Sequence, residues 1–379
     1  MLIKEIATIK GGKRLPKGIL LTTNVNSHPY IRVRDMNKRI ITLNDSFEYV
    51  PDSVFPTISN YLVKTNDVIL SIVGTIGLVG IVDKSLNNAN LTENCVKFIN
   101  LKHYDNLYLY YYLISQKGQN QIKAGTVGST QPKLPIYNIE QINLPDISID
   151  EQRHIVDTIG SVDDLIEKYE VIIKKLNQYL SSIFTQKAEF ILEKKILGTL
   201  CKTITKGTTP TTLKKSFVSS GIPFVKVECL TDNHQIDTSK LAFIDIDTHK
   251  LLQRSQIQYK DLLLSIAGTI GRFAICLKNT YPSNTNQAIA IIRGKQISQE
   301  YLYALFLSGY CEEQITAKTV SGVQANLSLS VIASLEIPYI KDESFNENIK
   351  TLFRYIEQYN YKLLNLKKIK SQLLQKYFG

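Results

Sequence analysis

The amino-acid sequence predicts an α+β protein in which two similar globular domains are joined by two long helices that pair with each other. First, the chain has 379 residues, more than a single hydrophobic core usually serves. Second, an internal repeat spans most of each half. Third, each half closes with an apolar heptad pattern. Together these observations predict domains at 1–147 and 196–341, followed by helices at 148–195 and 342–379.

The repeat is most obvious in SIVGTIG (71–77), which returns almost unchanged as SIAGTIG (265–271) after 194 residues. Other segments pair at nearly the same interval and in the same order. They are HPYIRVRDM with IPFVKVECL, DVILS with DLLLS, YLYYYLIS with YLYALFLS, TVGSTQPKL with TVSGVQANL, and NLPDI with EIPYI. Because this interval is the length of a whole domain, the pattern predicts a duplicated domain.

Within each half, short β-branched and aromatic runs predict strands. In the first half these are YIRVRD, DVILSIVG and LVGIVD, and in the second FVKVEC, DLLLSIAG and RFAICL. Helices are predicted at YLYYYLISQKGQNQIKAG and YLYALFLSGYCEEQITAK, and further strands at INLPDI and LEIPYI. The paired glycines of the two GTIG segments predict turns between strands, not a phosphate loop, since their spacing matches no phosphate-binding motif.

Each predicted long helix opens with a capping box, at Ser148–Glu151 and Ser344–Glu347. Apolar residues then alternate at spacings of three and four, which predicts a seam between two helices. The predicted seam comprises Ile155, Ile159, Val162, Ile166, Tyr169, Ile173, Leu176, Leu180, Ile183, Ile349, Leu352, Ile356, Tyr359, Leu363, Leu366 and Leu373. Lys370 interrupts the second pattern. Because the stripe is narrow and its flanks are charged, we favour an exposed coiled coil over helices packed on their own domains.

Charge and composition narrow the class of function. Lys and Arg number 45 against 34 Asp and Glu, a net charge of +11 that favours a polyanionic partner such as nucleic acid. The five cysteines include no C-x-x-C pair, which is typical of reduced thiols in a cytoplasmic protein. No apolar run reaches the roughly 18 residues of a membrane span. Motifs for nucleotide binding, methyl transfer and metal ligation are missing, so we predict no catalytic or metal-binding residue in this chain.

The clustered polar residues are of the types that contact DNA. Cations bind phosphates, whereas Arg, Asn, Gln and Glu can read base edges. In the first half the candidates are Lys10, Lys13, Arg14, Lys17, Arg32, Arg34, Lys38, Arg39, Ser129, Thr130, Gln131 and Lys133. In the second they are Lys206, Thr208, Thr209, Lys214, Lys215, Lys226, Glu228, Ser321, Gln324 and Asn326. The same loops are polar in both halves but differ in residue, which favours recognition over ordinary solvated loops.

Taken together, these segments resemble the DNA-specificity subunit of type I restriction–modification systems. The resemblance rests on HPYIRVRDM and IPFVKVECL, the doubled GTIG after DVILS or DLLLS, the loops TVGSTQPKL and TVSGVQANL, and the helix start SIDEQRHIVDTI. It covers essentially the whole chain. It implies two target recognition domains, each reading one half of a split, asymmetric sequence in double-stranded DNA. The two helices would pair antiparallel as a coiled-coil rod, set the distance between half-sites and dock modification (methyltransferase) subunits.

The same resemblance places the chemistry outside this chain. S-adenosylmethionine is expected on the modification subunits, two in number, and ATP and Mg²⁺ on a restriction and translocation subunit. Glu228 stands where the first half has Arg34, and Cys229 where it has Asp35, which predicts different half-sites. A stand-alone bivalent DNA-binding regulator is the alternative. A nuclease or methyltransferase is disfavoured because its motifs are missing.

Overall fold

The computed structural model describes residues 1–319 and 326–379. They form two compact units, one comprising Met1–Ile166 with Leu366–Gly379 and the other comprising Glu167–Asn365. Each unit therefore contains one globular domain of the predicted repeat together with a stretch of both long helices. Ser321 and Gln324, two of the predicted DNA contacts, lie outside the described residues.

The first half of the chain folds into a mixed set of short elements. Its helices are α1 (Ile3–Ile6), α2 (Phe55–Ile58), α3 (Asn106–Ile114), α4 (Gln116–Gly125), α5 (Ile136–Ile139) and the long α6 (Ile149–Glu189). Its strands are β1 (Thr8–Gly11), β2 (Tyr30–Ile31), β3 (Ile40–Ile41), β4 (Val68–Ser71), β5 (Val79–Val82), β6 (Asn90–Leu91) and β7 (Cys95–Ile99). A five-stranded sheet has the order β1-β7-β4-β5-β3, and β2 and β6 form a separate parallel pair.

The second half contains corresponding elements. Its helices are α7 (Leu197–Leu200), α8 (Ile246–Leu251), α9 (Gln299–Leu307), α10 (Glu312–Thr319), α11 (Leu329–Ala333) and the long α12 (Glu343–Phe378). Its strands are β8 (Lys194–Ile196), β9 (Cys201–Lys206), β10 (Ile222–Val225), β11 (Ala242–Ile244), β12 (Gln256–Ile257), β13 (Leu262–Ser265), β14 (Phe273–Ile275), β15 (Ser283–Thr285), β16 (Ile289–Gly294) and β17 (Glu336–Pro338). The sheets are β14-β13-β16-β9, β11-β10-β15-β12 and β17-β8.

The duplication extends to buried polar contacts that the sequence anchors do not include. Tyr30 pairs with Asn90 in the first unit, and Phe224 pairs with Asn284 in the second, both in parallel register. The buried side-chain amide of Asn90 donates to the Ile58 carbonyl at 2.9 Å, and that of Asn284 donates to the corresponding carbonyl of Leu252 at 3.2 Å. Buried amide groups are nearly always hydrogen-bonded. Both asparagines therefore hold a strand of the parallel pair to the same distant backbone carbonyl.

The five-stranded sheet is covered on both faces. Successive residues of a strand point to opposite faces, and accordingly Val68 and Leu70 join a tyrosine-rich core while Ile69 joins a second core on the other side. The tyrosine-rich core is built on α3, where Tyr108, Tyr111 and Tyr112 are almost fully buried.

Three predicted strands differ from the structure. The strand predicted at YIRVRD ends after Ile31 and becomes a 3₁₀ turn at Val33–Asp35, because the Asp35 carboxylate accepts the Arg32 N–H at 2.8 Å and turns the chain. FVKVEC turns in the same way at Val227–Cys229. INLPDI forms no strand beyond a single bridge at Asn143.

The helix predicted over YLYYYLISQKGQNQIKAG is two helices, because Ser115 caps the second one. Its hydroxyl accepts the Gly118 N–H at 3.2 Å and donates to the Tyr112 carbonyl at 2.6 Å. The turn is tight, since a Cβ on Gly118 would lie 2.1 Å from that same carbonyl oxygen.

The first capping box is confirmed. The Ser148 N–H donates to Glu151 Oε2 at 2.9 Å, and the Glu151 N–H donates to Ser148 Oγ at 3.2 Å. The second prediction is wrong by two residues. Helix α12 begins at Glu343, and its cap is Asp342, whose carboxylate accepts the Phe345 N–H at 3.0 Å. The 194-residue interval aligns Asp342 with Ser148, so the cap belongs to the repeat although its residue type differs.

Within the first unit, the start of α6 runs beside the end of α12. Lys370 Nζ lies 2.7 Å from Asp163 Oδ1, and the rings of His154 and Tyr377 are in contact. The helices are therefore antiparallel here. Lys370 fills its gap in the heptad pattern as the partner of the buried Asp163 carboxylate, which also accepts the Tyr111 hydroxyl at 3.0 Å.

The second unit repeats this pairing with the other ends of the helices. Tyr169 contacts Tyr359, and Lys187 Nζ lies 2.8 Å from Asp342 Oδ2. The two helices exchange roles between the units. Phe378, at the end of α12, packs on the first domain, and Phe184, 194 residues earlier on α6, packs on the second.

The antiparallel pair is confirmed, but the preference for helices exposed away from their domains is corrected. Half of the seam is fully buried, namely Ile155, Ile159, Ile166, Ile173, Leu180, Ile349, Ile356 and Leu363. The other half is only partly buried, namely Val162, Tyr169, Leu176, Ile183, Leu352, Tyr359, Leu366 and Leu373. Residues beside the seam, such as Phe184, Phe353 and Phe378, are buried instead. The long helices therefore pack against domain cores as well as against each other.

Candidate nucleic-acid interface

The two GTIG segments form the same turn in both domains, between β4 and β5 and between β13 and β14. The buried hydroxyl of Ser71 donates to the Thr75 carbonyl at 2.6 Å, and that of Ser265 donates to the Thr269 carbonyl at 2.5 Å. All four glycines have positive φ, between 73° and 92°, a conformation that favours glycine. The turn is a scaffold, as predicted.

In each domain another glycine, Gly12 or Gly207, allows the polar loop that follows it to lie against a neighbouring backbone segment. A Cβ on Gly12 would lie 2.1 Å from the Thr92 carbonyl oxygen, and one on Gly207 would lie 2.0 Å from that of Thr285. Only glycine permits such an approach. The loops that follow, which carry Lys13 and Thr208, are thereby held beside the segments at 92–94 and 286–288.

In the first domain, acidic side chains that sequence reasoning missed organise several predicted cations. Arg14 Nε lies 2.5 Å from Glu93 Oε1. The Glu48 carboxylate accepts hydrogen bonds from two arginines. Arg32 Nη1 donates to its Oε2 through a short bond, and Arg34 Nη2 lies 2.6 Å from the same oxygen. Hydrogen bonding from Arg32 lowers the pKa of Glu48, so this carboxylate stays ionised between the two guanidinium groups.

The remaining candidates of the first domain divide into two groups. Lys10, on β1, and Lys13, Lys17 and Lys38, in loops, have exposed side chains. The tip Ser129, Thr130 and Gln131 is also exposed, and it is held beside the GTIG turn because Lys133 pairs with both Val127 and Val73.

Arg39 is the most buried of the predicted cations in the first domain, and its guanidinium contacts protein groups. Its Nη2 lies 2.5 Å from Asp164 Oδ1, its Nη1 lies 3.3 Å from the Tyr111 hydroxyl, and its side chain is only 11% exposed. Arg39 therefore ties the edge of the domain to helix α6. No local pattern indicates this partner, which lies 125 residues further along the chain.

In the second domain the loops border an open groove of about 460 Å³. Its lining is contributed by three segments: Val227 and Glu228; Ala267, Gly268, Thr269 and Arg272; and Asn286 and Ala288. Glu228 is exposed on the rim, and Arg272 lies 2.9 Å from Asp232. Sequence reasoning singled out Glu228 but missed Arg272 and Asn286, which stand on or beside the repeated turn.

The other candidates of the second domain are not among the residues that line this groove. Lys206, Lys214, Lys215 and Asn326 have exposed side chains. Thr209 hydrogen-bonds Gln287, and Thr208 accepts a long bond of 3.4 Å from Arg254. The Lys226 ammonium lies 4.7 Å from the centroid of the Phe217 ring and 3.9 Å from Glu228 Oε1.

Among residues 1–319 and 326–379, no group of three His, Cys, Asp or Glu residues could hold a metal ion. None of the helices in these ranges contains an apolar stretch long enough to span a membrane. The cysteines are unpaired, and burial raises the pKa of Cys95 to about 12, which keeps that thiol protonated and unreactive.

These features define a class of protein: a duplicated domain that presents variable polar loops around an invariant turn, on a chain of net positive charge. The chain belongs to the family of the type I restriction–modification DNA specificity domain, whose model matches residues 1–178 and again residues 192–373. The double match agrees with the internal repeat, and it confirms the family resemblance seen in the sequence.

Two known proteins illustrate the likeness. The specificity subunit of the type I restriction enzyme MjaIX from Methanocaldococcus jannaschii is 23% identical over 293 residues, which cover 71% of this chain and 67% of that protein. The crystal structure of the S subunit of a type I restriction–modification system from M. genitalium covers 100% of this chain and 95% of its own, with a TM-score of 0.56 and 17% identity. The second likeness supports the fold.

Proposed function

We propose that this chain supplies the sequence recognition of a type I restriction–modification complex, with each domain reading one half of a split, asymmetric DNA target. The observation that carries the proposal is the contrast between scaffold and loops. The GTIG turn, the buried asparagine and the close glycine recur in both domains, whereas the polar residues around them differ. A shared scaffold with divergent loops is suited to binding one kind of ligand, DNA, at two different sequences.

Two kinds of polar residue have different roles, one in binding phosphates and the other in reading bases. Exposed lysines such as Lys17 and Lys214 neutralise phosphates, which gives affinity and salt dependence without sequence information. Side chains that can donate or accept in a fixed direction, such as Arg34 and Glu228, read base edges. Because both domains belong to one chain, binding of the first raises the effective concentration of the second at its half-site.

We further propose that α6 and α12 set the spacing between half-sites and dock two modification subunits. The helices have 41 and 36 residues, and side chains away from their packed faces include exposed apolar groups. These are Leu165, Val171, Tyr179, Tyr355 and Tyr361. Apolar groups at such positions are typical of surfaces that a partner covers.

In this scheme the chain has no chemistry of its own. The modification subunits bring S-adenosylmethionine, and a restriction and translocation subunit brings ATP and Mg²⁺. The unpaired cysteines support a reducing, cytoplasmic location.

The test is to express the chain with its cognate modification subunit and to map methylated bases across the host genome. We expect one bipartite motif whose two halves differ in sequence and are separated by unspecified base pairs. A single unsplit motif, or no new methylation, would contradict the proposal. A gel shift with the chain alone provides the control, because tight specific binding without any partner would favour the stand-alone regulator.

A further inference from the structure

Residues 34 and 228 occupy the same place in the two domains. Each is the middle residue of the 3₁₀ turn that follows the parallel strand pair, at Val33–Asp35 and Val227–Cys229. The strand pairs share their register, and the interval between the two residues is again 194. Both side chains are 59% exposed. In each domain, therefore, the middle residue of this turn presents its side chain to the solvent from the same place in the fold. The charge of that side chain is positive in the first domain and negative in the second.

In the first domain, the surroundings of Arg34 make it a directional donor more than a phosphate-binding charge. Arg34 Nη2 lies 2.6 Å from Glu48 Oε2, and its Nε lies 3.8 Å from Asp35 Oδ1. Two guanidinium groups and two carboxylates share this cluster, so its net charge is close to zero and its attraction for phosphate is weak. A guanidinium has five N–H donors in a fixed plane, so the bond that orients Arg34 leaves others for a ligand.

In the second domain, Glu228 stands on the rim of the open groove. The ammonium of Lys226 lies 3.9 Å from its carboxylate, a contact too long to be a hydrogen bond. On a surface that approaches a polyanion, a carboxylate is repelled by phosphates, so it is useful only where it meets a hydrogen-bond donor. The donors that DNA offers in the major groove are exocyclic amines, and glutamate accepts from N4 of cytosine.

We infer that positions 34 and 228 are the equivalent base-reading positions of the two domains, with Arg34 donating to O6 and N7 of a guanine and Glu228 accepting from N4 of a cytosine. This inference rests on the proposed function, because it requires both domains to face base edges. It adds the identity of one base pair in each half-site. A G·C pair is read in both, and the two domains take opposite members of it.

The experiment uses the full chain in complex with its modification subunits and a pool of duplexes with randomised positions. Bound duplexes are selected and sequenced for the original protein and for the variants Arg34→Lys and Glu228→Gln. Arg34→Lys retains the charge but loses the planar fork, and Glu228→Gln retains the shape but loses the charge. Lys17→Ala is the matched control, since Lys17 is an exposed cation in a neighbouring loop.

Each variant is expected to lose about tenfold or more of its discrimination at a single G·C position in its own half-site. The other half-site and the dependence of affinity on salt remain unchanged. Lys17→Ala does the reverse, weakening binding to all sequences and reducing the salt slope by about one.

Two results would overturn the inference. One is that Arg34→Lys retains full discrimination while Arg34→Ala weakens all sequences evenly, since Arg34 would then be a phosphate contact. The other is that Glu228→Gln changes no position of the motif. In both cases the original protein still selects a split motif, so the proposed function survives. If the original protein selects no motif, the proposed function itself fails, and the inference fails with it.

Discussion

Replacing Phe378 by alanine tests whether the last turn of α12 completes the core of the first domain. The Phe378 side chain is 2% exposed, and its ring meets those of Tyr108 and Tyr112 edge-on, at 5.4 and 5.7 Å between centroids. Truncating a buried phenylalanine costs about 3–5 kcal/mol. Because Phe378 lies in a terminal turn that can partly collapse into the space, we expect about 3 kcal/mol.

The assay is hydrogen exchange followed by mass spectrometry, because a chain with two compact units need not unfold in one step. Phe378→Ala should speed exchange in α3, which carries Tyr108 and Tyr112, and leave α9 in the second unit unchanged. Phe184→Ala should show the opposite pattern, since Phe184 is fully buried and contacts Tyr301 of α9.

Ile369→Ala is the control for this prediction, because Ile369 is on the same helix but 42% exposed. We expect it to change stability by less than about 0.5 kcal/mol. The reasoning would be refuted if Phe378→Ala cost less than about 1 kcal/mol, or if it loosened α9 as much as α3.

Three further predictions concern the scaffold. Gly12→Ala should destabilise the first unit by about 3 kcal/mol in urea unfolding, because its Cβ would meet the Thr92 carbonyl, whereas Gly11→Ala, with open space around it, should not. Ser265→Ala should cost about 1 kcal/mol by removing the hydroxyl bond that closes the second GTIG turn, and unchanged protection of that turn in hydrogen exchange would count against its role. Burial lowers the pKa of His234. The second unit should therefore lose stability as the pH falls through about 6.5, where the unfolded histidine takes up its proton. In thermal melts, His234→Asn should reduce this dependence of stability on pH.

The large features of the fold were accessible from the sequence because they depend on periodic or repeated signals. The recurring GTIG segment and its neighbours predicted the duplication, and the heptads predicted two long helices that pair with each other. Their antiparallel direction was implied by the family resemblance. The start of α6 was also predicted correctly, since the Ser148–Glu151 box is a local signal. At α12 the same local signal predicted a cap at Ser344, but the structure has the cap at Asp342, two residues earlier.

The features that the sequence patterns did not indicate depend on contacts between residues distant in the chain. Arg39 looks like its basic neighbours until the fold brings Asp164 to it. Lys370 looks like a defect in a seam until it meets the buried Asp163. The narrow apolar stripe likewise concealed that Phe184, just beside it, packs on a domain. For the candidate site, residue types indicated which loops are polar, but only the structure shows which acidic groups, such as Glu48, hold the arginines in place.

The most direct test of the account is a domain exchange followed by methylome sequencing. Residues Met1–Ile147 are replaced by the same segment of a related protein, chosen so that the side chains facing Ile155 and Phe378 are retained. The account predicts that one half of the methylated motif changes, while the other half and the spacing between them stay the same. A change in both halves, or in neither, would contradict the claim that each domain reads its own half-site.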